Sequence, residues 1–251
     1  SIGNIIGSNV ADIFIVLGCS GIVKNLSIPK VNKFDYGFHF LVSLMFLLLF
    51  IYFKLNFLSG ILFVTLFFIY LFLSFKSSKI SETENIEIND DFISNKILEY
   101  PKIFGIPILL LSIFLTIFGA DITVESSIQI SRILGISEAV IGLTVIAIGT
   151  SLPEIAAGIT AARRMKPDLI FGNIIGSNLY NILLILGFSS LLEQFKYNYL
   201  NLFDEVIFMF ISVIVFTMML IFIKNFKKSI SVFFLLIYMV YIYSIYYKSF
   251  N

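Results

Sequence analysis

Apolar residues fill long uninterrupted windows of this chain, and polar residues collect between them. Eight windows are long enough to cross a bilayer, since about 20 helical residues span a hydrocarbon core of roughly 30 Å. They cover 4–23, 36–53, 57–75, 103–124, 138–162, 169–190, 203–223 and 230–247. The pattern therefore predicts an all-α polytopic membrane protein with eight transmembrane helices.

The connections between these windows alternate in charge. Thirteen of the 17 Lys and Arg residues lie in every second connection, at 24–33, 76–102, 163–166 and 224–228. Short cytoplasmic loops are enriched in Lys and Arg, so we predict that these connections are cytoplasmic and that both chain ends face outward. The longest, 76–102, also carries six acidic residues and predicts a cytoplasmic linker between two halves, 1–75 and 103–251.

A seven-residue motif, GNIIGSN, occurs twice, at 3–9 and at 172–178. The same offset of 169 residues aligns Asp12 with Asn181. The loop charges predict that the two copies cross the membrane in opposite directions. Inverted repeats of this kind are typical of alternating-access carriers.

The repeat also bears on the start of the chain. A long partner segment, 138–171, precedes the second copy, and its counterpart in the first half falls before Ser1. We therefore expect the chain to be a fragment that lacks the N-terminal helices of the same protein. A short natural form that has lost its initiator Met is the alternative.

A second polar motif, AIGTSLPE, lies at 147–154 in the middle of the fifth window. Pro153 removes a backbone donor and frees a carbonyl, so we expect the helix to break or kink there. A carboxylate near the bilayer centre, as at Glu154, costs about 2.5–3.5 kcal/mol. The nearest basic residues, Arg163 and Arg164, are too far along the helix to pair with it. We expect a cation or a proton to neutralise Glu154; a protonated side chain bonded to a neighbouring helix is the alternative.

The candidate ligands in these motifs are all hard oxygen atoms. Calcium takes six to eight such ligands, and sodium, which has a similar radius, accepts the same groups, so one site could exchange the two ions. The candidates are the hydroxyls of Ser8, Thr150, Ser151 and Ser177, the carboxylates of Asp12 and Glu154, the amide of Asn181 and the carbonyl of Ala147.

Composition narrows the function classes. With 59% apolar and 13% charged residues, the chain differs from soluble domains, which have about one half and one quarter. A net charge of +1 gives no basic surface for nucleic acid. The single Cys19 and single His39 leave no disulfide within the chain and no imidazole zinc site, and we expect both residues to serve packing. No protease motif is present, so we expect neither an enzyme nor a cofactor.

The motifs together resemble the second signature repeat of the sodium/calcium exchangers, within the calcium/cation antiporter superfamily. Residues 142–154 and 172–178 with Asn181 carry this resemblance, and 1–18 resembles the tail of the first repeat. The resemblance implies an inverted-repeat exchanger bundle of ten helices, of which this chain holds eight, in a prokaryotic plasma membrane. It implies ion-coordinating roles for Ala147, Thr150, Ser151, Glu154, Ser177, Asn181, Ser8 and Asp12.

The resemblance implies secondary active antiport, in which sodium moving inward drives calcium outward by alternating access. Its partners are calcium and sodium ions, the lipid bilayer and the missing N-terminal helices. Acid and amide at positions 12 and 181 vary within the family, so a proton- or potassium-coupled calcium antiporter is an alternative. The other is a truncated, non-transporting fragment, because the first-repeat acid expected 169 positions before Glu154 falls upstream of Ser1.

Overall fold

The structure is a computed structural model that describes residues 2–29, 32–53, 55–81, 138–192 and 202–250, with single positions between 107 and 135. Seven helices in these ranges are long and apolar enough to cross a membrane. They are α1 (Ile2–Val23), α2 (Lys33–Phe53), α3 (Phe57–Ser81), α4 (138–163), α5 (Pro167–Leu192), α6 (Phe203–Phe222) and α7 (Lys228–Phe250).

Seven of the eight predicted windows coincide with these helices. Helix α3 continues to Ser81, so the first residues of the predicted linker are helical. The rest of the linker and most of the window 103–124 lie outside the described residues.

Local polar contacts mark where helices begin. Before α3, the Asn56 side chain accepts from the backbone N–H of Ser59 at 3.1 Å, and the Ser59 hydroxyl accepts from the N–H of Asn56 at 2.8 Å. This reciprocal pair satisfies two backbone donors that have no partner inside the helix.

Between α4 and α5, Met165 adopts a left-handed conformation with φ of 59°, and Pro167 begins α5. Proline suits a first helical position because its φ is already fixed there.

Two short strands add a feature that the all-α prediction missed. Strand β1 (Leu26–Ser27) pairs antiparallel with β2 (Asn225–Phe226), with Leu26 opposite Phe226. Helices α1 and α6 both end at this side of the bundle, and extended connections that lie side by side can pair their backbone groups. The ribbon joins the connection after α1 to the connection before α7.

Four of the described helices contain a π-helical segment. It covers Asp12–Val16 in α1, Leu49–Phe53 at the end of α2, Gly142–Ile146 in α4 and Tyr180–Leu186 in α5. The turns in α1 and α5 begin at or beside equivalent positions of the repeat. Because a π turn adds a residue to one turn of helix, residues before and after it face different neighbours.

The helix does not break at Pro153, so that part of the expected break or kink is wrong. The α-helical segment Ala147–Arg163 runs through this proline, and the π-helical turn precedes it, at Gly142–Ile146. A proline inside a helix removes one N–H donor, and the other helical bonds continue on either side of it.

Helix α1 is the centre of the bundle. Of its most apolar window, 83% is buried, and it contacts α4, α5, α6 and α7. Gly7 lies so close to α4 that an added Cβ would come 2.5 Å from the Leu143 carbonyl oxygen and 2.7 Å from the Ala147 Cβ. At the equivalent repeat position, Gly176, an added Cβ would meet no described atom within 4 Å apart from its own helix. Within the described residues, therefore, the first copy of the motif makes this close contact and the second does not.

We predict that Gly7→Ala destabilises the bundle by about 1–3 kcal/mol, since overpacking a close helix contact forces the backbones apart. The matched control is Gly37→Ala in α2, which adds the same methyl group where no described atom outside the helix lies within 4 Å and removes a flexible glycine from a helix. The measurement is the fraction of purified protein that stays monodisperse on size exclusion after heating. Equal melting of the two variants would contradict the close approach at Gly7.

Candidate functional site

The carboxylate of Asp12 lies at the centre of a polar cluster where α1, α4 and α5 meet. Asp12 is 1% exposed. Its Oδ1 accepts a hydrogen bond from the Ser151 hydroxyl at 2.8 Å, and its Oδ2 accepts one from the Ser177 hydroxyl at 2.7 Å. The two serines lie on α4 and α5, so one buried carboxylate joins all three helices.

A second contact lies one turn away along α1. The hydroxyl oxygens of Ser8 and Thr150 are 2.8 Å apart and share a hydrogen bond. Thr150 Oγ1 also lies 3.1 Å from the Ala147 carbonyl oxygen, to which it can donate. We call Ser8, Asp12, Thr150, Ser151 and Ser177 the oxygen cluster. It is closed at Asp12 and Ser151 and open at Thr150, whose side chain is exposed.

Glu154 lies beside this cluster on α4, one turn beyond Thr150. Its Oε2 is buried and has no hydrogen-bond partner among the described residues. It interacts electrostatically with Asp12, and in the described ranges no Lys or Arg forms an ion pair with either acid. Two neighbouring carboxylates without a basic partner repel one another, and a bound cation would remove that repulsion.

Asn181, the repeat equivalent of Asp12, has a different partner. Its amide nitrogen donates to the Asn9 side-chain oxygen at 2.9 Å, and Asn9 Nδ2 lies 3.8 Å from the Met209 sulfur on α6. The structure thus joins five of the eight predicted residues by direct hydrogen bonds within the oxygen cluster, with the Ala147 carbonyl bonded to Thr150. Asn181 lies next to the cluster through Asn9.

Several asparagines of the repeated motif were missed by reasoning from the sequence. Asn4 Oδ1 lies 3.5 Å from the hydroxyls of both Ser8 and Thr150. Asn178, the equivalent of Asn9, is fully buried with its Nδ2 3.4 Å from His39 Nε2. Both asparagines occur in each copy of the motif, inside an apolar window. This repetition could have indicated from the sequence that their side chains are buried and hydrogen-bonded.

His39 packs as expected and also makes this polar contact. It is 0% exposed and meets the Phe216 ring edge-on, with centroids 6.1 Å apart. Cys19 is partly buried. Neither residue reaches the oxygen cluster through a hydrogen bond of the described residues.

The chemistry of the site is that of hydroxyl, carboxylate, amide and carbonyl oxygens. In the described part of the chain, no three His, Cys, Asp or Glu side chains are grouped, so nitrogen and sulfur ligands for a transition metal are not assembled there. Oxygen ligands with two carboxylates suit a hard cation such as calcium or sodium. The candidate ligands come from three helices, so a shift of one helix against the others would change the distances between these oxygen atoms.

Comparison with known proteins gives a consistent result. The model of the family described as "Sodium/calcium exchanger protein" matches residues 1–76 and 104–247. The sodium/calcium exchanger MaX1 of Methanosarcina acetivorans is 41% identical over 109 residues, which cover 40% of this chain and 31% of that protein. The inner membrane protein YrbG of Escherichia coli is 30% identical over 197 residues, which cover 76% of this chain and 60% of that protein.

The fold agrees as well. The solved structure of the sodium–calcium exchanger NCX_Mj superposes with a TM-score of 0.70 at 27% identity, covering 97% of this chain and 76% of that one. This confirms the inverted-repeat exchanger bundle. The chain spans about 60% of the length of curated relatives that it matches over most of its own length. The family match over most of the chain, the repeated motif and the fold lead to one conclusion: the chain belongs to the sodium/calcium exchanger protein family, a family of membrane transporters.

Proposed function

We propose that this chain is the ion-binding part of a secondary active antiporter that exchanges sodium for calcium across a membrane by alternating access. The observation that carries the proposal is the buried Asp12 carboxylate, which accepts hydrogen bonds from hydroxyls of α4 and α5, while Glu154 lies beside it without a basic partner among the described residues. In support, MaX1 and NCX_Mj are named as sodium/calcium exchangers.

The ions bind at the oxygen cluster together with Glu154, the Ala147 carbonyl and Asn181. Two carboxylates in a low-dielectric site are costly when the site is empty, and a bound cation offsets that cost. The loaded site therefore tolerates closure from both sides better than the empty one. This difference is what an exchanger needs, because it moves between its two orientations when loaded.

Helices upstream of Ser1 complete the carrier. Two observations support this. The oxygen cluster is exposed at Thr150. Among the described residues, there is also space beside three glycines of α4 and α5, Gly149, Gly172 and Gly176, and a face of small residues allows another helix to approach closely. Gly7 shows the equivalent contact already made, against α4. The upstream helix supplies the acid that the first repeat places opposite Glu154.

The membrane is a prokaryotic plasma membrane, with both ends of this chain outside. The charge pattern supports this orientation, because thirteen of the 17 Lys and Arg lie in connections on one side. Seven helices of membrane-crossing length among the described residues support the membrane location.

The intact carrier in vesicles provides the direct test. We expect an imposed sodium gradient to drive uptake of radioactive calcium, because two cations that compete for one oxygen site are exchanged across it. Potassium and proton gradients are imposed separately on the same vesicles, with an ionophore to clamp the membrane potential. Uptake that follows only the proton or potassium gradient would assign the coupling to that ion.

Glu154→Gln is expected to abolish this uptake, since the amide keeps the shape of the side chain but cannot offset cation charge. The matched control is Asp168→Asn, which neutralises an exposed acid in the first turn of α5. We expect Asp168→Asn to transport normally. Normal uptake by Glu154→Gln would remove this residue from the ion site.

Ser177→Ala is expected to weaken calcium affinity about tenfold, since a hydrogen bond to a charged group is worth about 1.5–3 kcal/mol. Ser190→Ala is the control on the same helix, because its buried hydroxyl bonds only to the Leu186 carbonyl among the described residues. The measurement is the calcium concentration for half-maximal uptake in each variant. Equal affinities would show that the Ser177–Asp12 bond does not serve ion binding.

A further inference from the structure

Three buried polar side chains on α6 and α7 take no part in the oxygen cluster. Glu205, Tyr241 and Tyr238 are 5%, 4% and 5% exposed. Glu205 Oε2 and both phenol oxygens have no hydrogen-bond partner among the described residues. A buried polar atom left without a partner costs about 1–3 kcal/mol. Three of them in one region need a physical explanation.

The three side chains form a line that runs from one end of the bundle toward Asp12. At that end, Lys248 Nζ donates to Glu205 Oε1 at 3.4 Å. Glu205 lies one turn before Phe208 on α6, and the Phe208 ring stacks on Tyr241 with centroids 4.6 Å apart. The rings of Tyr241 and Tyr238 lie 5.9 Å apart between centroids. One turn before Tyr238 on α7, the Phe234 ring lies 5.2 Å from Phe14, which is two residues beyond Asp12 on α1. The line therefore runs from the Lys248 end of α7 to the part of α1 that carries Asp12.

The line is long enough to reach from the membrane surface to the middle of the hydrocarbon core. Tyr238 precedes Lys248 by ten residues on α7, which is about 15 Å along a helix axis. That distance is half of the roughly 30 Å hydrocarbon core. The line therefore begins where Lys248 and the exposed Asp204 meet solvent and ends near the middle of the bundle.

The walls of this line are aromatic. Phe208 stacks on Tyr241 with centroids 4.6 Å apart, and Phe14 lies 6.0 Å from Phe208 and 5.2 Å from Phe234. Phenylalanine rings carry no oxygen or nitrogen atom with which a phenol hydroxyl could form a conventional hydrogen bond. In proteins generally, ordered water is a common partner for buried polar atoms, because one molecule can bond two to four of them.

We propose that Glu205, Tyr241 and Tyr238, which we call the polar file, hold a chain of ordered water molecules that connects Asp12 with solvent at the Lys248 end of α6 and α7. This route approaches Asp12 from α7, whereas the oxygen cluster approaches it from α4 and α5. The water nearest Asp12 adds an oxygen ligand for a cation held there. That last use rests on the proposed function, and the polar file itself does not.

Hydroxyl-radical footprinting of the chain in nanodiscs tests for the water directly, since radicals form from water beside the side chain they modify. Each residue's rate is divided by its rate in the unfolded chain, which removes differences in intrinsic reactivity. The matched control is Phe216 of α6, which is 0% exposed, has no polar side-chain atom and packs against His39 and Phe171 instead of the line. We expect Tyr238 and Tyr241 to be roughly tenfold less protected than Phe216. Equal protection overturns the polar file.

Substitution of the two tyrosines tests whether their oxygens hold the water. We expect Tyr238→Phe and Tyr241→Phe to melt at lower temperature than Tyr243→Phe, a change on the 67% exposed face of the same helix. If no water bonded to these hydroxyls, replacing tyrosine by phenylalanine would remove a buried polar group that has no hydrogen-bond partner. The variants would then melt at the same or a higher temperature. That result also overturns the proposal. Neither measurement involves transport, so the polar file and the antiport function can fail independently.

Discussion

The burial of one carboxylate sets the geometry of this bundle. Asp12 is 1% exposed on the central helix, and a charge in that position is tolerated only when neighbours bond to it or balance it. The Ser151 and Ser177 hydroxyls come within 2.8 Å and 2.7 Å from two other helices. This requirement fixes α1, α4 and α5 relative to one another at that depth. Glu154 then adds a second charge beside the first, and the cluster becomes a place where a cation is favoured.

The positions of the helices could be predicted from the sequence because the bilayer dictates them. A helix has to offer enough apolar length to cross the hydrocarbon core, and seven windows did so with polar residues at their ends. The candidate site residues could be chosen because the GNIIGSN motif repeats at a fixed offset, and because hydroxyls and acids inside apolar windows are costly unless they have a partner. The structure places five of these candidates close together: Ser8, Asp12, Thr150, Ser151 and Ser177.

The remaining contacts depend on rotation about the helix axes, which local sequence does not set. One residue rotates a helix by about 100°, so a π turn such as Asp12–Val16 changes which side chains face which neighbours. The bond between Asn181 and Asn9 is of this kind, because it depends on how α1 and α5 are rotated against each other. The continuous helix through Pro153 was likewise not evident from the residues beside it.

The β1–β2 ribbon joins two parts of the bundle at one edge through backbone hydrogen bonds. It pins the connection after α1 to the connection before α7, with backbone bonds that continue from Ile28 to Lys224 at 2.9 Å. At that edge, backbone hydrogen bonds join the end of α1 to the α6–α7 hairpin, and separating the two would break several of these bonds together. Among the described residues, α4 and α5 have no backbone pairing with α1 and are joined to its Asp12 through the side chains of Ser151 and Ser177. The position of α1 along α7 is therefore held by main-chain bonds, which no side-chain substitution removes.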